Sequence, residues 1–275
     1  APLPDSDKAA LAGLAKIAAD GESAGDSAVQ MGLRQLRSAL NRAESADRLA
    51  PETARALYGT LKRVSVTRLE LFAGCPFSHF MRYGLRPDRV EPFALNARDE
   101  GTFFHSAVTE FLLRSREDLN DLPADVAAAR MDGIADAMLD AMCDSGPLGD
   151  SAVALAERRR LKETARACAA ALADHMRGSL FHTTALEQSF GREDGALALE
   201  LPGGCVLEGR IDRVDEWRAD GGYLRVIDYK RGGRALKLAE AYYGLRLQLP
   251  VYLAAAQRKW GGKSAGAYYF GLSDG

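Results

Sequence analysis

The residues best equipped for chemistry cluster between positions 208 and 230. They are Glu208-Gly-Arg-Ile-Asp212-Arg-Val-Asp215 and Val226-Ile-Asp228-Tyr-Lys230. Side chains alternate along a strand, so Asp228 and Lys230 share one face, about 7 Å apart. Asp212 belongs to the preceding strand, and a hairpin register can set it beside Asp228. Two carboxylates converging in this way bind a hard divalent cation, Mg²⁺ or Mn²⁺, through oxygen. A lysine beside them can steer or activate water and offset charge building on a phosphate. The set suits metal-assisted hydrolysis of a phosphodiester. The competing reading is an ion-pair ladder across a surface hairpin.

The elements around this cluster follow from periodicity. After Thr184 the hydrophobic period drops toward two. Strands are predicted over 186–190, 196–201, 205–216 and 223–229, separated by Glu-Asp-Gly, Pro-Gly-Gly and Ala-Asp-Gly-Gly turns. A helix is predicted over 241–260 with a kink or restart at Pro250, and a last strand over 266–272. Upstream, Phe103, Ala107, Phe111 and Phe104, Val108, Leu112 form two apolar rows of a helix over 102–114. Thr67 is the expected N-cap of a helix starting at Arg68, and another helix fits 153–178. Asp132, Asp136, Asp140 and Asp144 stand at i,i+4 spacing and read as a solvated helix face rather than a cation ladder. Residues 1–60 are alanine-rich with apolar residues at helical spacing, a helical N-terminal segment before a domain over 61–275. Helices followed by a strand meander, a helix and a strand make an α+β (mixed α/β) architecture.

Composition narrows the class. The 275 residues carry 36 Lys and Arg against 38 Asp and Glu, a net charge of −2, which excludes a polybasic protein. Nucleic-acid contact must come from a local patch. Two stretches qualify: residues 62–89, and residues 225–246 with Arg225, Lys230, Arg231, Arg234, Lys237 and Arg246. No apolar run reaches the roughly 18 residues a membrane span needs. Neither a signal peptide nor a CxxC pair is present among the four cysteines, so a reducing cytoplasm is the expected setting. A start at Ala1 and an end just after a strand-like run read as a piece of a longer polypeptide, truncated at its C-terminal side.

In order along the chain stand Gly101-Thr-Phe-Phe-His105, Gly209-Arg-Ile-Asp-Arg213, Ile227-Asp-Tyr-Lys-Arg-Gly232 and Gln248-Leu-Pro-Val-Tyr252. Together they resemble the nuclease domain of the RecB family in the PD-(D/E)xK superfamily. The segment Arg68-Leu-Glu-Leu-Phe-Ala-Gly-Cys-Pro-Phe-Ser-His-Phe-Met-Arg-Tyr-Gly-Leu resembles AddB-type subunits of bacterial helicase–nucleases. The resemblance implies a restriction-endonuclease-like core, a mixed sheet flanked by helices. It also implies a Mg²⁺- or Mn²⁺-dependent DNA exonuclease working with a helicase subunit, on strands delivered to it, in bacterial double-strand break repair and recombination. By the same resemblance His105, Asp212, Asp228 and the Tyr229 carbonyl hold metal, and Lys230 is the catalytic lysine with Asp212 and Asp228. Gln248 and Tyr252 line the DNA side of the site, and Glu187 is a further acidic partner; Arg231, in the basic stretch beside the proposed metals, is expected from local charge to hold DNA phosphate. Cys75 matches the first ligand of an iron–sulfur cluster. The later cysteines of that cluster have no counterpart here, so the cluster belongs to the longer parent and Cys75 is expected to be a free thiol in this piece. Two alternatives stay open: a silent scaffold that binds DNA or the helicase, and a stand-alone or CRISPR-associated RecB-like nuclease.

Overall fold

A computed structural model describes residues 49–87, 97–145, 148, 151–191, 199–219, 221–232 and 235–272. The helices expected within residues 1–48 lie outside the described residues, as do Arg234 and positions 196–198 of one expected strand. The chain divides into two units, Ala1–Ala56 and Leu57–Gly275. Helix α1 (Pro51–Tyr58) leads into strand β1 (Arg63–Ser65), then α2 (Val66–Gly74), α3 (Pro76–His79) and a π-helical turn, Phe80–Leu85. Three long helices follow: α4 (Ala97–Arg114), α5 (Ala124–Ser145) and α6 (Ala152–Met176). The strands are β2 (His182–Phe190), β3 (Leu199–Leu201), β4 (Cys205–Trp217) and β5 (Tyr223–Lys230). After them come α7 (Leu238–Tyr242), α8 (Gln248–Trp260) and β6 (Lys263–Gly271).

Strand β4 is the hub of a mixed sheet. The path runs β1-β4-β5-β6, with β2 and β3 also paired to β4. Pairs β1/β4 and β5/β6 are parallel and the others antiparallel. Both β2 and β5 pair with residues 213–216, so they must flank β4 on opposite edges. That explains why residues 211–215 are buried without a break although three of them are charged. One face of the sheet is covered by α4, α5 and α6, whose Phe104, Phe111, Met131 and Leu161 pack with Ile227 and Tyr229 of β5. The other is covered by α8, whose Tyr252, Ala255 and Ala256 meet Val214 and Val226. The α+β reading from the sequence is the architecture observed.

Several boundaries differ from the sequence expectations, each for a physical reason. The cap of α2 is Ser65, whose Oγ accepts the Arg68 N–H at 3.2 Å; Ser65 ends β1 in an extended conformation, whereas Thr67 is already helical. The helix expected over 241–260 is two helices, α7 and α8. Pro250 falls in the first turn of α8, where no intrahelical N–H bond is lost. The carboxylates of α5 lie on a solvated face, as expected, and they are also paired. Asp132, Asp136 and Asp140 pair with Arg166, Lys162 and Arg158, a matching i,i+4 row on α6, forming a charged seam between the helices. The side chain of Asp144 lies outside the described residues.

Candidate active site

Helix α4 turns one row of side chains to the core and another to an open cleft. Phe103, Phe104, Ala107 and Val108 are buried, while Gly101, His105 and Thr109, four residues apart, line the cleft. The cleft has a volume of about 760 Å³. Its floor is the β4–β5 hairpin with Asp212, Asp228 and Lys230, and its far wall carries Gln248 and Tyr252 of α8. Here the hairpin register matters. Arg213 pairs with Ile227, so continuing the ladder by one step sets Asp212 opposite Asp228.

The contacts are specific. The Tyr229 N–H donates to Asp212 Oδ2 at 2.7 Å. His105 Nε2 lies 3.0 Å from the Tyr229 carbonyl; with the proton on Nε2 the ring donates there and turns the Nδ1 lone pair inward. Nδ1 then faces Asp212 Oδ2 at 3.6 Å and Glu187 Oε1 at 4.0 Å. Glu187 reaches this point through an unusual backbone. Its φ of 49° is left-handed, which a non-glycine residue rarely adopts inside a strand, and such strain gathers at functional sites. Thr109 Oγ1 donates to Glu187 Oε1 at 3.3 Å, and Arg210 holds its Oε2 at 2.7 Å. Lys230 Nζ sits 2.6 Å from Asp228 Oδ2.

Charge is left unbalanced at this point. Burial and the facing Asp228 push the Asp212 carboxyl up to about 7. Burial alone would lower His105, but the neighbouring carboxylates of Glu187, Asp212 and Asp228 outweigh it and raise it. Burial alone would raise Glu187, yet His105 and Arg210 bring it below the usual carboxylate range. His105, Glu187 and Asp212 offer donor atoms all within 4.8 Å of one another. With Asp228 and the Tyr229 carbonyl nearby, this set of hard oxygens plus one imidazole fits a divalent cation. Asp228 differs from the other acids in turning an oxygen to Lys230.

The remaining expected residues divide. Gln248 and Tyr252 both line the cleft, with Tyr252 nearly buried and its ring edge-on to Phe190 at 5.8 Å. Gly209 makes that packing possible, since a Cβ there would stand 2.6 Å from the Phe190 ring. Arg231 is not in the cleft lining. It follows Lys230 at the end of β5, where alternation turns it to the other face, and its guanidinium lies 2.8 Å from Glu100. Cys75 is an exposed thiol capping α3, its Sγ accepting the Ser78 N–H at 3.4 Å, and that hydrogen bonding lowers its pKa. His79, four residues on, is bonded to Arg68 Nε at 3.0 Å and sits among Tyr58, Phe72 and Tyr83 as a packing residue.

Sequence reasoning passed over Glu70. Its Oε1 accepts the backbone N–H groups of Leu247 and Gln248 at 2.6 and 3.0 Å, capping α8 from α2. A cap from 177 residues away leaves no local signature.

The sheet, the carboxylate-bearing hairpin and the strand-end lysine define a metal-assisted nuclease fold. The PD-(D/E)XK nuclease superfamily matches residues 63–275, and the chain belongs to that superfamily. Among its relatives is an ATP-dependent helicase/deoxyribonuclease subunit from Desulforudis audaxviator, 42% identical over 240 residues, which are 81% of this chain and 20% of the relative. Proteins of the same name from Acetivibrio thermocellus and Moorella thermoacetica are 37% and 39% identical, over 80% and 76% of this chain and 20% and 19% of theirs. The chain thus spans about a fifth of the length of the curated relatives it matches. These matches bear out the resemblance drawn from the motifs. Among the described residues no helix is long and apolar enough to cross a membrane.

Proposed function

We propose that this chain is the nuclease domain of an AddB-like subunit of a helicase–nuclease. It cleaves DNA strands delivered by its helicase partner during cytoplasmic double-strand break repair and recombination. The observation that carries this reading is the convergence of Asp212 and Asp228 with His105, Glu187 and Lys230 on one cleft floor. Mg²⁺ or Mn²⁺ bound there would supply Lewis-acid charge to the phosphate and make water a better nucleophile at neutral pH.

The chain's own residues divide the remaining work. His105, Asp212 and Asp228 present the donor atoms, and the Tyr229 carbonyl fixes the imidazole tautomer. Lys230, steadied by Asp228, orients the attacking water and offsets charge on the non-bridging oxygens. The water oxygen bonds to phosphorus while the bridging P–O ester bond breaks; the water's proton is released to solvent, and the departing oxygen takes one up from solvent. Gln248 and Tyr252 hold the strand against the far wall.

The test is cleavage of end-labelled single-stranded DNA with Mg²⁺ or Mn²⁺ by the parent chain, Asp228→Ala and Lys230→Ala. Cleavage stopped by EDTA and lost in both variants is the expected result. Cleavage that survives in Lys230→Ala would remove that residue from the mechanism. A parent chain that neither cleaves nor binds a divalent cation would leave the scaffold reading standing instead.

A further inference from the structure

Phe103 and Ala107 of α4 are buried, and Gly101, His105 and Thr109 line the cleft. Between these two rows stand Thr102 and Ser106, both exposed and one helical turn, about 5.4 Å, apart. They form an edge shared by the cleft and a second, smaller recess of about 380 Å³. Met138 of α5 also lines both spaces. The recess therefore adjoins the cleft across a single ridge of α4.

The two spaces differ in chemistry. The cleft presents Arg98, Arg210 and Lys230 together with its carboxylates. The recess is built on Phe103 and on Met138 and Met142, an i,i+4 pair of α5 that packs against the helical core and is held in place by it. Ala141 lies exposed at its outer side. Among the described residues that line it no side chain is cationic, and Asp99 in the first turn of α4 is its one charge. A phosphate would meet no counter-charge here, and a metal ion would meet a single carboxylate. The lining suits a flat, uncharged ring instead. A thioether is polarizable and packs well on aromatic groups, and methionine adapts its shape to what it touches. The Thr102 hydroxyl donates to the Arg98 carbonyl at 3.0 Å, so at the edge it offers an acceptor.

We propose that this recess is a nucleobase subsite, which receives the base beside the phosphate held on the cleft floor and grips it by its ring rather than by its edge. The inference rests on the DNA-cleaving reading given above and extends it to the uncharged part of the substrate. Ser106 directly follows His105 on α4, so a base next to a phosphate at His105 crosses only this ridge to enter. Two thioethers and a phenyl ring carry no pattern of donors and acceptors, which is what distinguishes one base edge from another. All four bases are therefore accepted, and cleavage is not sequence-selective at this position.

The test removes a base from the strand before it changes the protein. Single-turnover cleavage with Mn²⁺ is measured on end-labelled single strands, each carrying one abasic nucleotide at a successive position around the scissile bond. At one position beside that bond the strand concentration giving half-maximal rate is expected to rise about 5- to 100-fold, the worth of one stacked base, with the maximal rate little changed. Exchanging the four bases there should change it by less than about twofold. Ala141→Trp, at an exposed position, fills the recess. It should hold the intact strand as weakly as the parent holds the abasic one, and lose nothing more when the base is removed. If the chain binds strands without cleaving them, the same scan of Kd by fluorescence anisotropy decides in the same way. An abasic effect within about twofold at every position, or one undiminished in Ala141→Trp, overturns the proposal and leaves the nuclease reading intact. A parent chain that neither cleaves nor binds the intact strand would instead sink that reading, and this inference with it.

Discussion

The β4–β5 hairpin carries buried carboxylates on both of its faces and treats them in opposite ways. On the face toward α6, Asp215 is wholly buried between Arg213 and Arg225, with three N···O contacts of 2.6 to 2.9 Å. Burial alone would raise it, but the two guanidiniums outweigh that and hold it below the ordinary carboxylate value. On the face toward the cleft, Asp212 and Asp228 confront each other, and Asp212 is pushed up to about 7. The two aspartates of β4 are three residues apart. The difference separates an acid enclosed by two guanidiniums from a facing pair that only Lys230 and His105 approach; on the proposed reading, a bound cation completes the neutralisation of that pair.

Activity should separate the two faces most sharply. Lys230→Ala is expected to reduce cleavage about 10²- to 10³-fold, measured by single-turnover DNA hydrolysis, with little change in unfolding midpoint. Stability comes next, with the emphasis reversed. Asp215→Asn strands a buried Arg213 and should cost about 3–5 kcal/mol, read from urea unfolding. A cost under about 1 kcal/mol would mean that the rear face is not the charge-balanced anchor described here.

The pH dependence sharpens the same contrast. The folded Asp212 carboxyl keeps its proton to about pH 7, whereas its unfolded counterpart releases it near 3.8. The folded state therefore holds the extra proton between these values, and Asp212 costs stability progressively as pH rises from about 4 to 7. Asp215 has the opposite sign: its contribution is present above the ordinary carboxylate pKa and is lost as pH falls through its depressed value. In metal-free protein the stability difference between Asp212→Asn and the parent should grow in favour of the variant from pH 4.5 to 7.5. A flat difference would contradict the assigned repulsion. The smallest effect belongs to the α8 cap. Glu70→Ala should cost about 1–2 kcal/mol and raise the KM for DNA through Gln248, which steady-state kinetics and urea unfolding check together.

Much of the cleft was legible because strands and helices repeat simply. Period-two alternation set Asp228 and Lys230 on one face, and a short turn set Asp212 against Asp228. Helical rows separated Phe103 and Phe104 from His105. What escaped had long-range or non-repeating causes. Glu187 was expected as an acidic partner through the family resemblance, but alternation has no term for its left-handed backbone, which brings its carboxylate to His105. The sign of a charge does not reveal which face is buried, so Arg213 and Asp215 gave no hint of their role beneath the hairpin. The carboxylate row of α5 was visible, but its partners Arg158, Lys162 and Arg166 form an equally regular row on α6 that had to be read with it. The α7–α8 break was concealed by apolar residues that continue through it, and Pro250 marks a helix start rather than a kink.

The central claim is that Asp212 and Asp228 are a repelling pair which a divalent cation relieves. Thermal unfolding of the parent and Asp212→Asn at pH 7.5, with and without Mn²⁺, tests it most directly. Asn keeps the acceptor for the Tyr229 N–H, so the substitution removes charge rather than the hydrogen bond. The expected result is a parent whose melting temperature rises with Mn²⁺, and a variant at least as stable as the metal-free parent that no longer responds. A variant destabilised without metal, or one that Mn²⁺ stabilises as much as the parent, would contradict the account.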